Sequence, residues 1–73
     1  MQNFNLELIF KKGQGAVGGT YRTNTIEEAY TLAKRDAASY RGAFTVRAQG
    51  PDGYWYTFNR VKKLWFDFEF KKS

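Results

Sequence analysis

Seventy-three residues with no cysteine and no histidine fit one small domain, and it must stand without disulfides, thiolate metal sites or imidazole chemistry. Aromatic residues make up 19% of the chain, and they have to supply the core, because so short a chain buries only about 60% of the surface it exposes when unfolded. Twelve lysines and arginines against seven acids leave a net charge of +5, a balance that favours nucleic acid or an acidic protein surface as partner.

Asn3–Phe10 alternates: Phe4, Leu6, Leu8 and Phe10 face one way, Asn5, Glu7 and Ile9 the other. That period of two predicts a strand. Lys11–Gly19 reads KKGQGAVGG, and its glycines predict an irregular hairpin loop. It lacks the Gly-Lys-Ser/Thr ending of a phosphate-binding loop. A short strand is expected at Thr20–Thr23, with Tyr21 as its apolar contact. Thr25 followed by Glu28 is a helix-start signature. The helix is expected to reach about Tyr40 and to end at Gly42. Ile26, Ala29, Tyr30, Ala33, Ala37 and Tyr40 share its buried stripe, with Leu32 beside it; Glu27, Thr31, Lys34, Arg35 and Ala38 lie opposite.

The last third holds most of the aromatic mass. Ala43–Gln49, Tyr54–Asn59 and Leu64–Phe70 are predicted as three consecutive antiparallel strands. Pro51-Asp52-Gly53 supplies the turn between the first two. Phe66, Phe68 and Phe70 point to the core, because Asp67 and Glu69 share the other face with Trp65. The same alternation puts Trp55 with Thr57 and Asn59, and Arg47 with Thr45 and Gln49, on the polar side. Lys71–Ser73 is expected to fray. The expected fold class is α+β: one antiparallel sheet of four or five strands with one helix packed on one face, in the order β-β-α-β-β-β, with residues 1–73 forming a single domain.

Catalysis is not expected. A nucleophile–base pair is hard to build without histidine or cysteine, and Asp67 with Glu69 is the spacing any strand surface gives two acids. No catalytic residue, metal ligand, cofactor or small-molecule substrate is assigned. No stretch approaches the roughly 20 apolar residues of a membrane span, and the start MQNFNLELIFKK has no basic leader before an apolar run. No membrane association is expected, and the cytoplasm is the expected compartment.

The candidate partner-binding residues lie in three groups. Arg47, Trp55 and Trp65 share the open face, where cations among aromatic rings can hold single-stranded nucleic acid or anchor a protein interface. The plainer alternative is that the two tryptophans pair across strands and shield the backbone. Arg60, Lys62 and Lys63 are placed in the turn between the last two strands as the densest basic cluster. Lys34 and Arg35 form the third group, on the outer helix face, where a solvated stripe is the plainer alternative.

Between Thr20 and Asp67 the order of elements, the Lys34-Arg35-Asp36 run on the helix, Asp52-Gly53-Tyr54-Trp55 at a hairpin and Lys63-Leu64-Trp65-Phe66-Asp67 in the last strand resemble a family. It is that of small phage-encoded anti-CRISPR proteins acting on the type I (Cascade) surveillance complex. The resemblance implies an inhibitor that binds the backbone subunits of that complex in the infected bacterial cell. It would block hybridisation of target DNA with the guide, and in some members it also promotes non-specific DNA binding by the complex. It maps the helix pair onto Lys34, Arg35 and Asp36, with Arg35 as the polar contact and Lys34 as its support, and the strand tryptophans onto Trp55 and Trp65. The N-terminal strand and the GQGAVGG loop depart from the family pattern, so no contact is carried over there. The alternative function is a stand-alone basic module that binds single-stranded nucleic acid.

Overall fold

A computed structural model describes residues 1–11, 13–63 and 66–72, with the side chains at 60–63 and 66–67 outside the description. The elements are β1 (Gln2–Phe10), β2 (Gly15–Thr23), α1 (Ile26–Asp36), β3 (Phe44–Gln49), β4 (Trp55–Lys63) and β5 (Phe66–Lys72). They form one five-stranded sheet in the order β2-β1-β3-β4-β5, antiparallel throughout, with the helix on one face. The α+β class follows directly from these elements.

The alternation in β1 sets the core. Phe4, Leu6, Leu8 and Phe10 are all buried, and they pack with Ile26, Ala29, Tyr30, Ala33 and Ala37. Burying each large side chain stabilises the fold by about 1.5–3 kcal/mol. Three alanines on the helix stripe let its backbone approach the sheet closely. The cross-strand partners keep the pattern: Leu8 lies opposite Val17 on one side and Val46 on the other.

The helix start is as expected. Thr25 has the extended backbone of an N-cap, and its hydroxyl oxygen accepts from the Glu28 N–H at 3.2 Å. Glu27 and Glu28 occupy the first turn and Lys34 and Arg35 the last, each favourable to the helix dipole. The end is earlier than expected. The helix stops at Asp36, not near Tyr40. After it the Ala38 N–H donates to Arg35 O and the Tyr40 N–H to Ala37 O at 2.9 Å. These tighter bonds unwind the chain so that Tyr40 turns onto Phe10, ring centroids 5.1 Å apart. A ring contact outside the helix overrides the helical preference of Ala37 and Ala38.

The glycine segment is a second correction. Gly15–Gly19 is not a loop but the first half of β2, paired with β1 from Phe10↔Gly15 to Leu6↔Gly19. Val17 and Tyr21 carry its apolar side, and both pack against the core. Gly18 is there for closeness: an added Cβ would collide with the Leu6 carbonyl oxygen and lie 2.8 Å from Glu7 Cα. The remaining turn is clamped from outside, where Gln14 Oε1 accepts from the Arg41 N–H at 3.2 Å and Gln14 Nε2 donates to the Arg41 carbonyl.

The C-terminal hairpin also runs longer than expected. β4 continues through Lys63, so Arg60, Lys62 and Lys63 lie in a strand and not in a turn. The β4–β5 register shifts between Arg60 and Lys63. Leu64 and Trp65 lie outside the described residues. Lys71 and Lys72 belong to β5 and do not fray as expected. Lys72 Nζ pairs with Asp52 at 3.0 Å and lies 4.1 Å from the Tyr54 ring centroid. The Lys72 ammonium, donating to Asp52, holds that carboxyl below its ordinary range. The turn before β4 closes with the Gly53 N–H donating to Gly50 O at 3.1 Å, and Gly53 takes the positive φ of 86° that glycine adopts without strain.

Candidate functional site: the open face of the sheet

The sheet face away from the helix is left uncovered by the core. Alternation delivers Asn5 and Glu7 from β1, Arg47 from β3 and Trp55 from β4 to it. Glu7 sits directly opposite Arg47 on β3 and opposite Gly18 on β2. The glycine side has no side chain, so the surface drops there into an open groove of about 300 Å³. Its walls mix polar and apolar groups: Thr20 donates to Asn5 Oδ1 at 2.6 Å along one side, and Arg47 and Trp55 stand on the other.

Trp55 is 48% exposed, as the alternation requires. The Arg47 guanidinium lies over its ring, 5.1 Å from the centroid, a cation–π contact worth about 0.5–1 kcal/mol at an exposed site. That contact holds an aromatic plane and a cation side by side in a fixed arrangement on the surface. A partner meeting it finds a flat ring, a guanidinium and, one strand away, the Glu7 carboxylate. Stacking, bidentate hydrogen bonding to an anion and a positive group's attraction to Glu7 are all available within one groove. No proton transfer is needed for any of them.

The residues expected to bind do not form one site. Arg47 and Trp55 are brought together. Lys34 and Arg35 sit on the outer side of α1, on the far side of the sheet from Trp55. Both are exposed. Lys34 Nζ is 5.2 Å from the Tyr30 ring centroid, so Lys34 partly serves the helix itself. Arg60, Lys62 and Lys63 occupy the distal half of β4, and their side chains, like the whole of Trp65, lie outside the description. Glu7, Gly18 and Thr20 were not singled out from sequence. Alternation in β1 places Glu7 outward, but only the pairing of the glycine segment as β2 shows that a notch lies beside it.

On the helix side of the sheet, Tyr21 ties the β2 edge to the helix end, its hydroxyl donating to Asp36 Oδ2 at 2.8 Å. Burial first, then that hydrogen bond and the Asp36 charge, push the Tyr21 phenol up from 10.0 to about 12. Among the described residues, no group of acids is placed to hold a metal ion, and no helix is long and apolar enough to cross a membrane. Compared with protein-family models, curated proteins and solved structures, the chain matches none.

Proposed function

We propose that this chain is a non-catalytic binding protein whose open sheet face, centred on the Arg47–Trp55 pair, docks onto a larger partner. The observation that carries the reading is the exposed Trp55 ring held under a guanidinium beside an open groove. Tryptophan and arginine are the residue types that most often anchor interfaces, and the Trp55 ring is 48% exposed. Taken with the resemblance of Thr20–Asp67 to phage anti-CRISPR proteins, the reading becomes specific. The partner is the backbone of a type I Cascade surveillance complex, and the effect is to stop target DNA from hybridising with the guide. A chain of charge +5 suits an inhibitor that sits beside nucleic acid, or recruits it non-specifically, better than one that imitates DNA.

Purified protein added to the purified complex tests this. Stoichiometric binding and loss of specific target capture are expected, with Arg47→Ala on the open face weakening binding while the melting temperature changes little. Normal target capture at saturating protein would end the reading. A second reading, direct binding of single-stranded nucleic acid, is favoured by the ring-plus-cation platform itself, since stacking of a base on such a ring is worth about 1–3 kcal/mol. Glu7 in the same groove weighs against it, because a carboxylate repels the phosphate backbone. A mobility shift with the protein alone, falling steeply as salt rises, would establish the second reading; no shift would remove it.

A further inference from the structure

The sheet has two edges, β2 and β5, and each presents backbone N–H and C=O groups that no strand of this chain satisfies. The two edges differ in what a second strand would meet. On the open face β2 offers Arg22 and Thr20 separated from Ala16 by Gly18, with no acid to answer a like strand. β5 offers alternating Phe68, Glu69, Phe70, Lys71 and Lys72, with opposite charges two residues apart on one face. We propose that two copies of this chain pair antiparallel along β5, about a two-fold axis at Phe70, to form one continuous sheet.

The register follows from the side chains. With Phe70 opposite Phe70 of the second copy, Glu69 faces Lys71 of the second copy, and Lys71 faces its Glu69. A two-fold at Glu69 would set that acid against itself, and a two-fold at Lys71 would do the same to the lysine. A shift by one residue would bring phenylalanines to the charged face. So the strand is complementary to itself in one register. Glu69 and Lys71 can reach a second copy: their side chains are 40% and 68% exposed, and they meet each other along the strand at 3.6 Å.

The other face of β5 supplies a reason to associate. Phe68 and Phe70 are half-buried, stacked edge to ring at 6.0 Å, and reached from the helix by Tyr30 at 4.8 and 5.5 Å. α1 itself packs over β1 and β2, so it leaves the β5 side of this aromatic surface uncovered and also leaves room for a second copy. Pairing would bring the two Phe70 rings together and lay each Phe68 along the stem of the other copy's Lys72. That lysine's charge is already met by Asp52 within its own copy.

The experiment is sedimentation velocity of the full chain over a concentration series, with charge swaps. A mass rising from 8.5 kDa toward twice that value is expected. Glu69→Lys and Lys71→Glu should each weaken the dimer about tenfold, since each turns two attractive cross-strand pairs into repulsive ones. The double variant Glu69→Lys/Lys71→Glu should recover it, and should not pair with the unmodified chain. Circular dichroism confirms that each variant is folded. A mass of one chain at every concentration overturns the proposal. So do single swaps that dimerise as well as the unmodified chain, or a folded double variant that stays monomeric.

Discussion

The molecule has two regions that differ in how completely their apolar side chains are covered. In the first, β1, β2, β3 and α1 seal aromatic, aliphatic and small residues alike: Phe4, Leu6, Leu8, Tyr30 and Ala48 are each at most 4% exposed. In the second, the β4–β5 ribbon, the inward residues Tyr56, Phe58, Phe68 and Phe70 are only half-buried. The rings of the ribbon are large, and less of their surface is sealed. Burial depends on what covers a side chain, and the helix covers β1 and β2. The two regions meet at a narrow seam. β3 pairs with β4 through only Ala48↔Tyr56 and Gln49↔Trp55 among the described residues. Tyr30 clasps the seam on the helix side, within 5.5 Å of the Phe58, Phe68 and Phe70 centroids. Arg47 over Trp55 clasps it on the open side. The candidate binding site is therefore also part of the joint.

The change that should hurt most is Tyr30→Ala. It removes a ring 2% exposed and leaves a cavity against three phenylalanines. A loss of about 4 kcal/mol is expected in denaturant unfolding, and a loss below about 1 kcal/mol would show that the ribbon does not depend on this clasp. Gly18→Ala comes next. The added methyl cannot fit against the Leu6 carbonyl, so the β1–β2 pairing must shift, at an expected cost of about 3 kcal/mol. A neutral effect would mean that β2 is not paired in this register.

Much of the first region was readable from the chain alone. The period of two in Phe4–Phe10 and the period of 3.6 in Ile26–Ala37 each named the buried residues, because the same physics that sets the period sets the face. The glycine segment was not readable. Glycine's low strand preference argues for a loop, and only the tertiary fit of Gly18 against β1 reverses that. The helix end was missed for a similar reason, since the ring of Phe10 that draws Tyr40 away lies thirty positions earlier in the chain. At the site, the outward setting of Arg47 and Trp55 was legible from alternation. Their stacking, the notch beside Glu7, and the separation of Lys34 and Arg35 onto the opposite side all depend on strand order, which no local pattern encodes.

Smaller effects sharpen the comparison. The raised Tyr21 phenol favours the protonated form in the fold, so its contribution is whole below pH 10.0, declines above it, and is lost as pH passes about 12. Tyr21→Phe should lower stability by about 1 kcal/mol at neutral pH and should flatten this alkaline decline in a pH series of melting temperatures. An unchanged alkaline slope would show that the phenol is not held by Asp36. The smallest effect on stability belongs to Trp55→Ala, expected to cost less than about 1 kcal/mol because the ring lies at the surface, 48% exposed, with the Arg47 guanidinium over it. The same variant should abolish capture of the proposed partner. Loss of folding instead would mean that the indole serves the core.

Native-state hydrogen exchange tests the two-region account most directly. In protein dilute enough to be monomeric, amides of β1 at Leu6 and Leu8 should exchange only through global unfolding, whereas amides of β5 from Phe68 to Phe70 should open at a distinctly lower free energy, as a separate unit. Equal protection in β1 and β5, with a shared denaturant dependence, would contradict the account.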